Sequence, residues 1–198
     1  MINKTPERQN GLRTYNRIIK TAKTLFSKKG YHGTSINEII SKSKIATGSF
    51  YQYFGSKRDL YDYLVKDYRY RIFHTINEKI KGLTKRYDIE YEGIKAYLEF
   101  VIKDKLAYQI IWESLFVDNT YFYDYYESFA KSYAEQLIKS NEIREGLNIE
   151  VLSYCLIGIS NFVGIQILSK PNILAEDVDM YVKAILDILS TGIFKASL

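Results

Sequence analysis

The chain has 198 residues, 46% of them apolar and 26% charged, with only two prolines, a composition that suits a compact globular protein and excludes a Pro-rich or low-complexity tail. Its single cysteine, Cys155, excludes an internal disulfide framework, and its two histidines, His32 and His74, stand too far apart to write a zinc-ligand spacing, so no metal and no cofactor is expected. The net charge of +5 is unevenly spread: residues 1–60 hold twelve Lys and Arg against three Asp and Glu, or +9, which leaves −4 for residues 61–198.

A basic end on a mildly acidic chain is the electrostatic footprint of a nucleic-acid binder, the bland alternative being a solvated basic surface. The opening "MINKTPERQNGLRTYNR" lacks the apolar core of a signal peptide, so a cytoplasmic location is expected. Nearly every segment carries a helical period and none alternates with period two for long, so the expected fold is all-α, with about nine helices.

The first helix is predicted over about 8–29. Its apolar stripe is Ile18, Ala22, Leu25 and Phe26, its basic residues lie mostly off that stripe, and Gly30 stops it. "GTSINEIISKS" restarts a helix with Thr34 or Ser35 as N-cap and Glu38 in the capping-box position. A third, short helix is predicted from about Ala46 to Tyr53, and two short helices behind a longer one form a helix-turn-helix pattern.

The third helix has an odd composition, "ATGSFYQYF", in which Gly48 costs about 1 kcal/mol relative to Ala in a helix interior. As a recognition helix it acquires reasons. Thr47, Gly48 and Ser49 are small enough to approach a major groove, Tyr51 and Tyr53 can reach a phosphate or a base, and Ile45, Phe50 and Phe54 pack the opposite side. An aromatic core helix with no role toward DNA is the alternative.

The segment from about Arg17 to Leu64 resembles the DNA-binding domain of TetR-type transcriptional regulators. The resemblance rests on Ala22, Leu25, Phe26, Gly30, Thr34, Ser35, Ile36 and Ile39, followed by "GSFYQYFGSKRDL" from Gly48 to Leu60. It implies base contacts from Asn37, Thr47, Gly48, Ser49 and Tyr53, and phosphate contacts from Ser35, Tyr51 and Lys57. Two positions depart from the family pattern. Ile40 replaces a more usual Ala, and Ser43, Lys44 and Ile45 stand where the family has Ala-Gly-Val; the family's glycine there implies a left-handed backbone, at which Lys44 is expected to trade about 1 kcal/mol for a phosphate contact.

A fourth helix starts at Ser56 and keeps a stripe through Leu60, Leu64, Tyr68, Ile72, Ile76 and Ile80 before Gly82 breaks it. The expected organisation is a DNA-binding domain over 1–55 and a helical ligand-binding and dimerisation domain over 56–198, with 56–82 as the connecting helix. Further helices are predicted at about 89–104, 105–116, 120–142, 148–169 and 174–195.

Twelve of the thirty aromatic residues fall between Tyr97 and Tyr133. From them an effector pocket is expected, lined by Tyr97, Phe100, Tyr108, Trp112, Phe116, Tyr123, Tyr126, Phe129 and Tyr133. It suits an apolar or flat small molecule, cations included, with Glu113 as counter-charge. For any one of these rings a place in the core is the alternative reading. "VLSYCLIGISNFVGIQIL", 151–168, is uncharged for eighteen residues; it reads as a helix buried on two faces, with a membrane span as the alternative.

The resemblance implies a homodimer built on the last two helices, and the pattern nominates Leu152, Leu156, Ile159, Val163, Val178, Val182, Ile185 and Leu189 for the interface. The reading is a ligand-responsive transcriptional regulator. It is a homodimeric repressor released from a near-palindromic operator when a small apolar or aromatic effector tilts the fourth helix. No catalytic residue is expected, because no phosphate loop, H-x-x-x-H or G-x-S-x-G motif occurs. The rival reading is a helical protein-interaction module without specific DNA binding, against which the +9 charge discriminates.

Overall fold

The computed structural model describes residues 6, 8–170 and 172–191, apart from the side chains of Tyr121 and Ala175. Among the described residues every regular element is a helix: α1 (Gln9–Lys29), α2 (Ile36–Ser43), α3 (Thr47–Tyr51), α4 (Lys57–Ile80), α5 (Arg86–Lys103), α6 (Lys105–Val117), α7 (Asn119–Ser140), α8 (Ile149–Ser169) and α9 (Ala175–Thr191). The expected continuation of the last helix to residue 195 lies outside the described residues.

The chain forms two compact units. The first runs up to Tyr70 and also takes in Leu106–Tyr123; the second comprises Arg71–Lys105 and the chain from Asp124 onward. The expected division at residue 55 differs from this partition, which falls inside α4 and assigns α6 to the first unit.

In the first unit, α1 buries Tyr15, Ile18, Ala22, Leu25 and Phe26 along one stripe. Gly30 closes it at φ 73°, its N–H bonded to Phe26 O, a backbone conformation that glycine adopts without strain. The Ser35 hydroxyl accepts the Glu38 N–H at 3.1 Å and so caps α2. The Glu38 carboxylate does not return the bond; it pairs instead with Lys29 at 2.6 Å and Lys42 at 3.1 Å, which hold it below the usual carboxylate range.

α2 ends at Lys44, which takes the left-handed conformation at φ 52°, ψ 52°. Arg17 of α1 donates to the carbonyl oxygens of Ser43 and Lys44, so the strained turn is held by a cation across two otherwise orphan acceptors. Phe50 and Phe54 are wholly buried; Phe54 stacks on Tyr15 with ring centroids 5.5 Å apart. Ser56 caps α4 by accepting the Asp59 N–H at 3.0 Å.

In the second unit α5 packs against both α8 and α9, which is why Ile94, Ala96, Tyr97, Leu98, Phe100 and Val101 are all buried. One face of α8 is buried through Ser153, Leu156, Ile157, Asn161, Gly164 and Ile167. The helix is long and apolar enough by composition to cross a membrane, yet its inner face carries a hydrogen-bonded Asn161, as a core helix can.

The interface expectation requires correction here. Val178 and Val182 have no exposed surface, and Leu156 and Ile185 are buried; this stripe is already covered within the chain and cannot face a second copy. Leu152, Ile159 and Val163 are half-buried, and Leu189 is exposed. The outward apolar residues of α8 and α9 are Val151, Tyr154, Phe162, Met180 and Ile188. A helix that is apolar nearly all round does not reveal from its sequence which face points inward.

Candidate functional site

The first candidate region is the surface around α2, α3 and the start of α4. Asn37, Thr47, Gly48 and Tyr51 are exposed, and Ser49 and Tyr53 are half-buried. A Cβ added at Gly48 would meet nothing within 4 Å, so glycine there leaves open surface rather than relieving an internal clash. Tyr53 packs edge-on against Tyr15 at 5.6 Å, which ties this side chain to α1.

Ser35 and Lys44 are exposed. The Lys57 ammonium donates to the carbonyl oxygens of Tyr31 and Thr34, each at 2.8 Å, and lies 4.3 Å from the centre of the Tyr31 ring. An ammonium has three donors; two hold the loop that leads into α2, so Lys57 positions that loop as well as carrying charge.

Glu113 lies in this first unit. It accepts the backbone N–H of Tyr31 at 2.5 Å, and a Cβ at Gly30 would stand 2.7 Å from its Oε1. Nearby, Tyr61 donates to Ile110 O at 3.0 Å, and Arg58 pairs with Asp62 at 2.7 Å and Asp118 at 2.5 Å. Burial, then the Glu113 charge, pushes the Tyr61 phenol well up.

The second candidate region is a cavity inside the second unit, with about 850 Å³ of empty space including its mouth. Ile72, Phe73, Ile76, Asn77 and Ile80 line it from α4, Ile89, Gly93, Ile94 and Tyr97 from α5, Tyr125, Tyr126, Phe129 and Tyr133 from α7, and Leu156, Ile157, Ser160 and Asn161 from α8. Two polar clusters interrupt its apolar wall. In one, the hydroxyls of Tyr97 and Tyr126 donate to Asn161 Oδ1 at 2.7 and 2.9 Å, while Asn161 Nδ2 donates to Ile157 O. In the other, Arg86 Nε donates to Glu90 Oε1 at 2.8 Å and the Tyr133 hydroxyl donates to Glu90 Oε2. Burial, then the Glu90 charge, pushes the Tyr133 phenol well above its ordinary value.

Four of the residues expected in a pocket line this cavity: Tyr97, Tyr126, Phe129 and Tyr133. The other six do not. Phe100 is buried under the Arg71 guanidinium, 5.5 Å away. Tyr108 and Trp112 pack on each other in the first unit, and Glu113 serves the Tyr31 turn described above. Phe116, 81% exposed, and Tyr123, 59% exposed, point outward. Aromatic density located the neighbourhood but could not separate α6 from α7, because the face a ring takes depends on which helix covers it.

The isoleucines of α4 and the Arg86–Glu90 pair were missed as pocket residues. The isoleucine stripe carried a usable signal, since it continues past the point where the first unit ends. Among the described residues no group of three or more His, Cys, Asp or Glu comes together as a metal site.

Residues 18–64 match the model for bacterial regulatory proteins of the tetR family. The match covers this helix-turn-helix module, about a quarter of the chain, which is similar to the DNA-binding module of that family.

Over 91 residues it is 38% identical to the uncharacterized HTH-type transcriptional regulator YuxN of Bacillus subtilis, an alignment covering 42% of this chain and 31% of YuxN. The chain spans about a third to a half of the length of the first curated relatives it matches. Its fold is similar to that of a TetR-family transcriptional regulator from Syntrophomonas wolfei, with TM-score 0.77 at 21% identity, covering 96% of this chain and 100% of that one. It is also similar to the regulator FadR from Bacillus subtilis in complex with stearoyl-CoA, with TM-score 0.71 at 18% identity, covering 91% and 100%.

Proposed function

We propose that the chain is a ligand-responsive repressor that binds a near-palindromic DNA operator as a homodimer in the cytoplasm and leaves it when a small apolar or aromatic effector enters the cavity. The observation that carries the reading is α4. It is one uninterrupted helix whose first residue, Lys57, holds the loop into α2 and whose later residues, Ile72, Phe73, Ile76 and Ile80, line the cavity.

The base-reading set is Asn37, Thr47, Gly48, Ser49 and Tyr53, with phosphates met by Ser35, Lys44, Tyr51 and Lys57. The basic charge of residues 1–60 supports contact with phosphates. The DNA-binding domain is taken as residues 1–55. The second copy docks on the outward residues Val151, Tyr154, Met180 and Ile188, all exposed apolar side chains. Two recognition helices related by a two-fold axis require an operator with matching symmetry.

Effector binding acts by favouring one conformation over another, and it does so only to the extent that the two conformations differ in affinity for it. The test is fluorescence anisotropy on DNA from upstream of the protein's own gene against a scrambled duplex, at several salt concentrations. Selective binding that Tyr51→Phe weakens supports the reading. Equal, weak binding to duplexes tiled across the surrounding intergenic DNA overturns it in favour of a protein-interaction module.

A further inference from the structure

Resting on the reading of the cavity as the effector site, we infer that its ligand is uncharged, and that Glu90 is the residue that keeps anionic amphiphiles out. Among the described residues that line the cavity, Arg86 and Glu90 alone carry charge. Their charges are spent on each other. Both side chains are buried, two guanidinium nitrogens reach Glu90 Oε1, at 2.8 and 2.5 Å, and the Tyr133 hydroxyl takes Oε2. The guanidinium also lies 5.4 Å from the centre of the Tyr133 ring, so its face is covered as well.

This closed set decides the ligand's charge. A carboxylate or phosphate entering the cavity could reach only one cation, Arg86. Taking it would strand Glu90 as an uncompensated buried charge, and sharing its remaining N–H donors would set two buried anions against one cation; either costs more than the new pair returns. An ammonium would have to detach Glu90 from Arg86 and Tyr133 together, with the same result. The rest of the wall is apolar or carries neutral hydroxyls and amides. The cavity therefore accepts an apolar or aromatic molecule whose polar groups are hydroxyl, ether or carbonyl.

The arrangement also makes Glu90 a specificity determinant that one substitution inverts. Glu90→Gln removes the negative partner, keeps an acceptor for Tyr133, and leaves Arg86 as a buried cation in search of an anion. A matched pair of probes reads this directly: decan-1-ol and decanoate, with the same chain length and opposite charge character, competing against 1-aminoanthracene, which is uncharged at neutral pH and brightens in apolar surroundings.

In the wild-type protein decan-1-ol should displace the dye at a concentration at least about tenfold lower than decanoate. In Glu90→Gln that ratio should shift toward decanoate by about tenfold. The double variant Arg86→Met/Glu90→Met, which carries neither charge, should retain the wild-type preference; this separates loss of charge balance from mere loosening of α5. Far-ultraviolet circular dichroism establishes that each variant is folded.

Equal displacement by the two probes in the wild type, or an unchanged ratio in folded Glu90→Gln, overturns the inference. A further variant separates this failure from failure of the cavity reading. Gly93 lines the cavity, and a Cβ there would meet Ile80 at 3.7 Å, so Gly93→Leu projects a side chain into the empty space. Dye binding weakened by Gly93→Leu, with alcohol and carboxylate equivalent, removes only the charge rule. Dye binding that is absent, or indifferent to Gly93→Leu, removes both.

Discussion

Glu113 of α6 accepts the backbone N–H of Tyr31, 82 positions earlier in the chain, at 2.5 Å. The carboxylate takes up a donor exposed by the end of α1, and Gly30 leaves room for it because any Cβ there would collide with the oxygen. A charge-assisted hydrogen bond of this kind contributes about 1.5–3 kcal/mol. Glu113→Leu should lower stability by about that amount, read from urea unfolding, while Glu113→Gln, which keeps an acceptor, should cost clearly less. Equal losses in the two variants would count against the hydrogen bond as the cause.

Lys44 gives a prediction with two opposed signs. Its left-handed backbone costs a side-chain-bearing residue about 1 kcal/mol that glycine does not lose. Lys44→Gly should therefore raise the melting temperature slightly while weakening operator binding and flattening its dependence on salt by about one phosphate contact. DNA affinity unchanged at every salt concentration would remove Lys44 from the phosphate-binding set.

The tyrosines Tyr61 and Tyr133 set an alkaline limit. Burial comes first and the neighbouring carboxylate second, Glu113 for Tyr61 and Glu90 for Tyr133, and both raise the phenol above the ordinary value near 10. A group with a raised folded-state pKa contributes stability that is complete below its unfolded value and is lost as pH rises through the folded one. Urea midpoints should thus hold from pH 8 to about 10 and fall above it, and Tyr133→Phe should make that fall shallower. In the 295 nm absorbance titration Tyr61 and Tyr133 should be among the phenols that ionise only as the protein unfolds, so Tyr133→Phe should reduce that late step.

The outward apolar residues predict the oligomer. Val151→Lys combined with Met180→Glu places charges on the exposed faces of α8 and α9 without touching the residues packed on α5. The variant should sediment as a folded monomer and lose most of its operator affinity, because a single recognition helix forgoes the second half-site. The wild type should sediment as a dimer, and a variant of the same mass as a dimeric wild type would move the interface elsewhere.

The helix-turn-helix module was legible because its signals are local. Gly30, Ser35 and Ser56 act within one turn of where they stand, and Phe50 in α3 and Phe54 just beyond its end are both buried. The left-handed turn at Lys44 was visible as the point where the family pattern wants glycine, but the Arg17 guanidinium that holds it comes from another helix and has no local signature.

Sequence by itself determined the all-helical class, the family of residues 18–64 and the caps that bound the first helices, since periodicity, glycine placement and side-chain-to-backbone hydrogen bonds operate within a few residues. Only the tertiary structure decided which of the many aromatic and aliphatic residues face the cavity. Glu113 became a latch for the Tyr31 turn, Val178 and Val182 became core beneath α5, and Arg86 and Glu90 became a neutral buried pair in the cavity wall. A helix that is apolar on several sides has no preferred inner face of its own; that face is chosen by the neighbour that buries it, and the neighbour is a property of the fold.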